Sequence, residues 1–80
     1  MTPTQVHDTL LRLLGDIAPE AHIQTLKPNA GFRDQLDIDS MDFLNFIVAL
    51  HRELAIEIPE SDYPKYTTLQ GCIDHLSSSP

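Results

Sequence analysis

The chain has 80 residues, 41% of them hydrophobic, with three glycines, one cysteine and a formal charge of −7. That length supports one small domain, which buries only about 60 to 65% of the surface its unfolded chain exposes and has little volume to spare for an enclosed active site. A lone Cys72 rules out a disulfide framework within the chain, no Cys/His spacing suits a metal, and the acidic surplus repels nucleic acid and anionic membrane. The N-terminus carries no basic segment followed by an apolar stretch, and no apolar run approaches a bilayer span. These features predict a soluble, cytoplasmic protein without stable membrane insertion.

Thr2-Pro3-Thr4-Gln5 opens the first helix, with Thr2 as N-cap, Pro3 at the first helical position and Gln5 placed to complete a capping box. Val6, Leu10, Leu13, Leu14 and Ile17 then make one apolar stripe, and Gly15 and Pro19 are expected to end it. From Ala18 to Asp39 no period is sustained. A connection this long needs pins, and Ile23, Leu26, Phe32, Leu36 and Ile38 are expected to dip into the core, with a helical turn near Arg33 to Leu36.

The second helix is predicted from about Ser40 to Leu54. Phe43, Phe46, Ile47, Leu50 and Leu54 form one stripe, and Met41, Leu44 and Val48 form another beside it. Either both stripes are buried, as a central helix allows, or Met41 and Val48 stay partly exposed as a docking strip rimmed by Asp42, Asn45, Arg52 and Glu53. Ala55-Ile56-Glu57-Ile58 reads as a connector, and Glu60 to Tyr66 as a short third helix that Pro64 keeps from growing. Thr67-Thr68-Leu69-Gln70 repeats the capping-box pattern ahead of a last helix with Leu69, Cys72, Ile73 and Leu76 on one face, where Cys72 reads as a buried hydrophobe. Ser77 to Pro80 should fray. The result is an all-α, four-helix bundle with a long ordered loop between helices one and two, as one domain over 1–77 with a flexible tail at 78–80. Met1, the clean first cap and the Ser/Pro end read as a free-standing protein, a pattern that a domain trimmed from a longer chain would share, and a monomer is expected.

Charge is uneven. Between residues 34 and 62 eight acids face only Arg52, while the remainder is balanced, so the surplus surrounds Asp37-Ile38-Asp39-Ser40-Met41-Asp42. A serine just ahead of an apolar period reads first as a helix N-cap. A calcium loop fails, because its next ligand position falls on Met41, its turn glycine on Asp42 and its final acid on Val48. A serine hydrolase fails too, since no glycine-rich elbow flanks Ser40 and no histidine is marked as its base. The third reading of the stretch is covalent modification of Ser40, and for it the order of the elements along the chain matters.

In order and spacing, Asn29-Ala30-Gly31-Phe32, Leu36, Asp39-Ser40-Met41-Asp42, Val48-Ala49-Leu50, Glu57-Ile58-Pro59 and Thr67-Thr68-Leu69 resemble the landmarks of the acyl carrier proteins. The resemblance covers nearly the whole chain. It implies a non-catalytic carrier bearing 4'-phosphopantetheine on Ser40, installed from coenzyme A by a phosphopantetheinyl transferase and holding acyl groups as thioesters. It further implies partner recognition through Asp39, Met41, Asp42, Asn45, Val48, Arg52 and Glu53, by acyl-loading and acyl-processing enzymes with basic docking surfaces. Acyl cargo would shelter against Phe32, Phe43, Phe46, Leu50, Ile58 and Tyr66. Asp37 stands where the family has glycine, Met41 where it has leucine, and Asn45, His51 and Arg52 where fatty-acid carriers tend to have acids. Those departures point to a specialised carrier in a fatty acid, polyketide or related pathway. The alternative is an unmodified acidic module that only binds a partner.

Overall fold

A computed structural model of the protein describes residues 2–19 and 23–77; Met1 and the tail expected at 78–80 lie outside the described residues. Its regular structure there is helical, with one isolated antiparallel bridge between Gly31 and Thr68. Helix α1 (Pro3–Ile17) starts with the expected capping box: Gln5 N donates to Thr2 Oγ1 at 3.2 Å and Thr2 N to Gln5 Oε1 at 3.1 Å. Gly15 does not end this helix. It lies in the last turn, and the break comes at Ala18, whose N–H still reaches the Leu14 carbonyl at 2.8 Å before Pro19 turns the chain away.

Val6, Leu10, Leu13 and Leu14 are buried and face two partners, α3 (Ser40–Leu54) and α4 (Leu69–Ser77). Phe46, Ile47 and Leu50 of α3 and Leu69, Cys72 and Leu76 of α4 complete the core, each large apolar side chain contributing about 1.5–3 kcal/mol by leaving water. The short third helix is the 3-10 helix Glu60–Tyr66, with Pro64 inside it and Tyr66 buried beneath it.

The long loop holds a 3-10 turn, Ile23–Thr25, and the short helix α2 (Phe32–Leu36). Phe32, Leu36 and Ile38 are buried, and Ile23 and Leu26 pack against the core, so the apolar pins fall where the sequence puts them. Polar pins accompany them. Gln35 accepts from Lys27 N at 2.7 Å and donates to the Lys27 and Ala30 carbonyls at 3.0 and 2.9 Å, closing the loop on itself. Two backbone bonds of 2.8 Å, Phe32 N to Thr67 O and Gln70 N to Pro28 O, tie the loop to the start of α4.

That start is one residue later than the sequence pattern suggests. Thr68 is the cap, its Oγ1 accepting from Gly71 N at 2.9 Å, whereas Thr67 Oγ1 donates to the Pro64 carbonyl at 2.9 Å. Counting from Thr68 places Gly71, which has no side chain, where a capping box needs Glu or Gln, and Gln70 bonds Asp74 at 2.7 Å instead. At the other end Ser77 is the last residue of α4, and its hydroxyl donates to the Ile73 carbonyl.

Two positions expose the backbone cost of this packing. Ala55 ends α3 in the left-handed region (φ 53°, ψ 44°), where its Cβ costs about 1–2 kcal/mol that glycine avoids. A Cβ on Gly71 would lie 2.6 Å from the Lys65 carbonyl oxygen, a backbone atom with no freedom to retreat. Urea unfolding at constant slope should therefore find Ala55→Gly more stable by about 1 kcal/mol. The same measurement should find Gly71→Ala less stable by about 1–3 kcal/mol.

Candidate functional site

The geometry around Ser40 is set three residues upstream. Asp37 takes a left-handed conformation (φ 53°, ψ 43°) and turns the chain out of α2; Asp bears this better than most residues because its short polar side chain can bond locally. Ile38 follows and is 8% exposed, which anchors the chain just before α3. Ile38 and Phe43 occupy the two positions of a hydrophobic staple, one before the cap and one in the first turn after it, and they line the same cleft.

Between those anchors the cap is Asp39. Its Oδ1 accepts from Asp42 N at 2.9 Å, and Asp42 Oδ2 accepts from Asp39 N at 3.4 Å, a reciprocal capping box. The first expectation for Ser40, that its own side chain caps the helix, is thereby corrected. Ser40 is the first residue inside α3, its side chain exposed and its hydroxyl without a partner among the described residues. The Ser40 and Met41 N–H groups are likewise unpaired among the described residues, since first-turn N–H groups have no intrahelical acceptor, whereas Asp42 N goes to the Asp39 carboxylate and Phe43 N to the Asp39 carbonyl. A hydroxyl beside two free N–H groups at the positive end of a helix fits a singly anionic group bonded to its oxygen.

The seven positions expected to meet partners separate into groups. Met41, Leu44 and Val48 are 66%, 40% and 46% exposed, so the second stripe of α3 faces solvent and not the core. Asp39, Asn45 and Arg52 are exposed and Asp42 half-buried. Glu53 is engaged within the molecule, its carboxylate paired with the Arg12 guanidinium of α1. Asp34, Asp37, Asp39 and Asp42 make no ion pair among the described residues, whereas Asp62 pairs with Lys65 at 3.4 Å and lies 3.8 Å from His75.

The six positions expected to line an acyl pocket are also divided. Phe32 and Phe43 line an open cleft of about 420 Å³ together with Gly31, Arg33, Asp34, Ile38 and Thr67. Phe46, Leu50 and Tyr66 are fully buried in the closed core, and Ile58 packs half-buried against it. A chain of ring contacts fills this interior: Phe32 edge-on to Phe46 at 5.5 Å, Phe46 to Phe43 at 6.3 Å, Phe43 edge-on to Tyr63 at 6.2 Å. A second open cleft, about 580 Å³, lies on the other side of the Asp37–Ile38 turn between the end of α1 and α2.

Cys72 is fully buried, its Sγ 3.5 Å from the Tyr66 carbonyl, and burial pushes its thiol up to about 12. It is therefore a poor nucleophile near neutral pH. Burial first, and then Asp62 and Cys72, also raise Tyr66. Among the described residues no helix is long and apolar enough to cross a membrane.

Sequence reasoning assigned the cap to the wrong member of the Asp39-Ser40 pair. The signal was present: Asp39 and Asp42 stand three apart, the spacing of a capping box, with Asp in place of the usual Glu. A family model described as the phosphopantetheine attachment site matches residues 6–76, from the first core residue of α1 to the last core leucine of α4. That span takes in the Asp37 turn, the staple and the cap together, and the chain belongs to the phosphopantetheine attachment family of carrier proteins, whose 4'-phosphopantetheine group is covalently held.

Proposed function

We propose that Ser40 is the attachment residue, and that the protein carries acyl intermediates of a specialised biosynthetic pathway from one partner enzyme to the next without catalysing a reaction itself. One observation carries this reading: Asp39 and Asp42 perform the capping, so the Ser40 hydroxyl is exposed and uncommitted at the N-terminus of α3. The free Ser40 and Met41 N–H groups suit a phosphodiester on that oxygen. A phosphopantetheinyl transferase using coenzyme A would supply the group, whose terminal thiol carries acyl units as thioesters. The chain's own residues do the rest. Asp37 and Ile38 fix where Ser40 points, and the acids at positions 34, 37, 39 and 42 speed encounter with basic partner surfaces.

Incubation of the wild type with coenzyme A, magnesium and a permissive transferase should raise the intact mass by one phosphopantetheine, and Ser40→Ala should show no gain. A wild type that gains nothing from a transferase active on other carriers would favour an unmodified interaction module. Because Ser40 does not cap α3, Ser40→Ala should keep wild-type stability within about 0.5 kcal/mol. Asp39→Ala removes the cap and should lower stability by about 1 kcal/mol, an inversion that a capping role for Ser40 does not allow.

Thiol chemistry gives an independent readout. With Cys72 buried and its thiol pushed up to about 12, a maleimide at neutral pH should label the folded unmodified protein at no site and the folded arm-bearing protein at one. Unfolding in guanidinium should add one label to each.

The ring chain from Phe32 through Phe46 and Phe43 to Tyr63 supports a further part of the reading, that the interior has little room for a long saturated chain. Phe43 is the member at the cleft mouth, half-buried. Long-chain acyl forms should show the same thioester hydrolysis rate as short ones in the wild type, and Phe43→Ala should slow the long-chain rate several-fold by opening a shelter. Protection of a long chain in the wild type, unchanged in Phe43→Ala, would overturn this.

A further inference from the structure

We infer that the exposed face of α3 docks on partner enzymes whose surface carries basic groups facing the Ser40 end and an acidic group facing Arg52, with an apolar seat between them; this rests on the carrier reading and deepens it. At about 100° per residue Met41, Val48 and Arg52 fall within about 40° of one another around the helix, with Asn45 beside them. At about 1.5 Å per residue Arg52 lies about 18 Å along the axis from Ser40. The stripe thus runs from the attachment end, through exposed apolar side chains at 41, 44 and 48, to a cation.

At the far end Arg52 stands on this face as a cation unpaired among the described residues, with the acids Glu57 and Glu60 exposed beyond the end of α3. Glu53, the neighbour that would neutralise Arg52, is drawn sideways to Arg12 on α1. His51 is exposed, but its ring N–H donates to the Ile56 carbonyl and closes the end of its own helix. Arg52 itself makes no ion pair among the described residues, with Glu57 or Glu60 beyond the turn or with any other acid. At the near end Asp34, Asp37, Asp39 and Asp42 also make no ion pair among the described residues. A surface basic along its whole length would meet repulsion at Arg52. One basic at one end and acidic at the other is attracted at both, and only in the orientation that brings Ser40 to the basic end. The charge pattern therefore selects partners and sets their polarity on the helix at once.

The test needs the enzyme that uses this carrier. Protein bearing an electrophilic bromoacetamide arm on Ser40 is incubated with extract of its own cells, and the enzyme trapped through its active-site thiol is identified and purified. Its kcat/KM is then measured with wild type, Arg52→Lys, Arg52→Glu and Asp42→Lys carriers, all arm-bearing. Arg52→Glu should lower kcat/KM about tenfold, through KM, with the loss shrinking between about 20 and about 500 mM salt. Arg52→Lys should stay near wild type, and carbodiimide should join its amine to an Asp or Glu of the enzyme. Asp42→Lys should also weaken binding.

Arg52→Glu equal to or better than wild type, or no coupling of the Arg52→Lys amine to an enzyme carboxylate, would overturn the inference. Arm transfer to the wild type needs only the carrier reading. If it fails, that reading falls and the inference with it; if it succeeds while Arg52→Glu changes nothing, the inference alone falls.

Discussion

The capping box between Asp39 and Asp42 is the constraint on which the Ser40 end of this protein depends. An N-cap side chain is held against the backbone by the N–H it satisfies, and losing it costs a helix about 1 kcal/mol. Had Ser40 taken that task, any group placed on its oxygen would have competed with the cap. With Asp39 in the role, the hydroxyl one residue later is spare, and the helix keeps its first turn whether or not Ser40 is substituted. The box is in turn placed by its flanks. A left-handed Asp37 reverses the chain, a buried Ile38 fixes its depth, and Phe43 closes the staple from the helix side. The backbone cost at Asp37, about 1–2 kcal/mol for an ordinary side chain and less for Asp, is offset by burying Leu36 and Ile38 on either side of it.

Strong local periods were legible in the sequence, and choices between neighbours were not. The stripes of α1, α3 and α4 follow from spacing that one segment reports by itself, and the short third helix and the apolar pins of the loop from residue type. Which of two adjacent polar residues caps a helix depends on where the preceding chain is anchored. Asp39 rather than Ser40 is fixed by Ile38, and Thr68 rather than Thr67 by the loop bonds to Phe32 and Gln70. Gln35 has no periodic signature at all, yet it holds three loop groups, because a side-chain amide can imitate the backbone at any separation. Ala55 is the same kind of omission: glycine or asparagine at a left-handed helix end announces itself, and alanine does not.

The two stripes of α3 show the same boundary from another side. Their pattern alone permitted burial on both faces, since exposure is a property of neighbours. Helix α1 packs against the face of α3 that carries Phe46, Ile47 and Leu50, and among the described residues Met41, Leu44 and Val48 stay exposed. On a small domain three exposed apolar side chains are a cost in solubility, offset by the acids on either side of Ser40 and by Arg52. The Arg12–Glu53 pair matters here less for its own stability, since exposed pairs contribute little, than for what it removes from the face.

Size then decides how the interior and the surface divide their work. A chain this short has one core, and rings bridging α2, α3 and the 3-10 helix occupy the part of it nearest the attachment end. Every methylene of cargo taken inside would have to displace a ring contact or spread two elements, and close-packed interiors yield poorly to either. On the carrier reading proposed above, cargo held at the cleft of Phe32 and Phe43 would meet apolar surface without that penalty. On this reading a filled core and an exposed strip are two consequences of one constraint: the domain is too small to hide what it carries, so its selectivity has to lie in whom it meets.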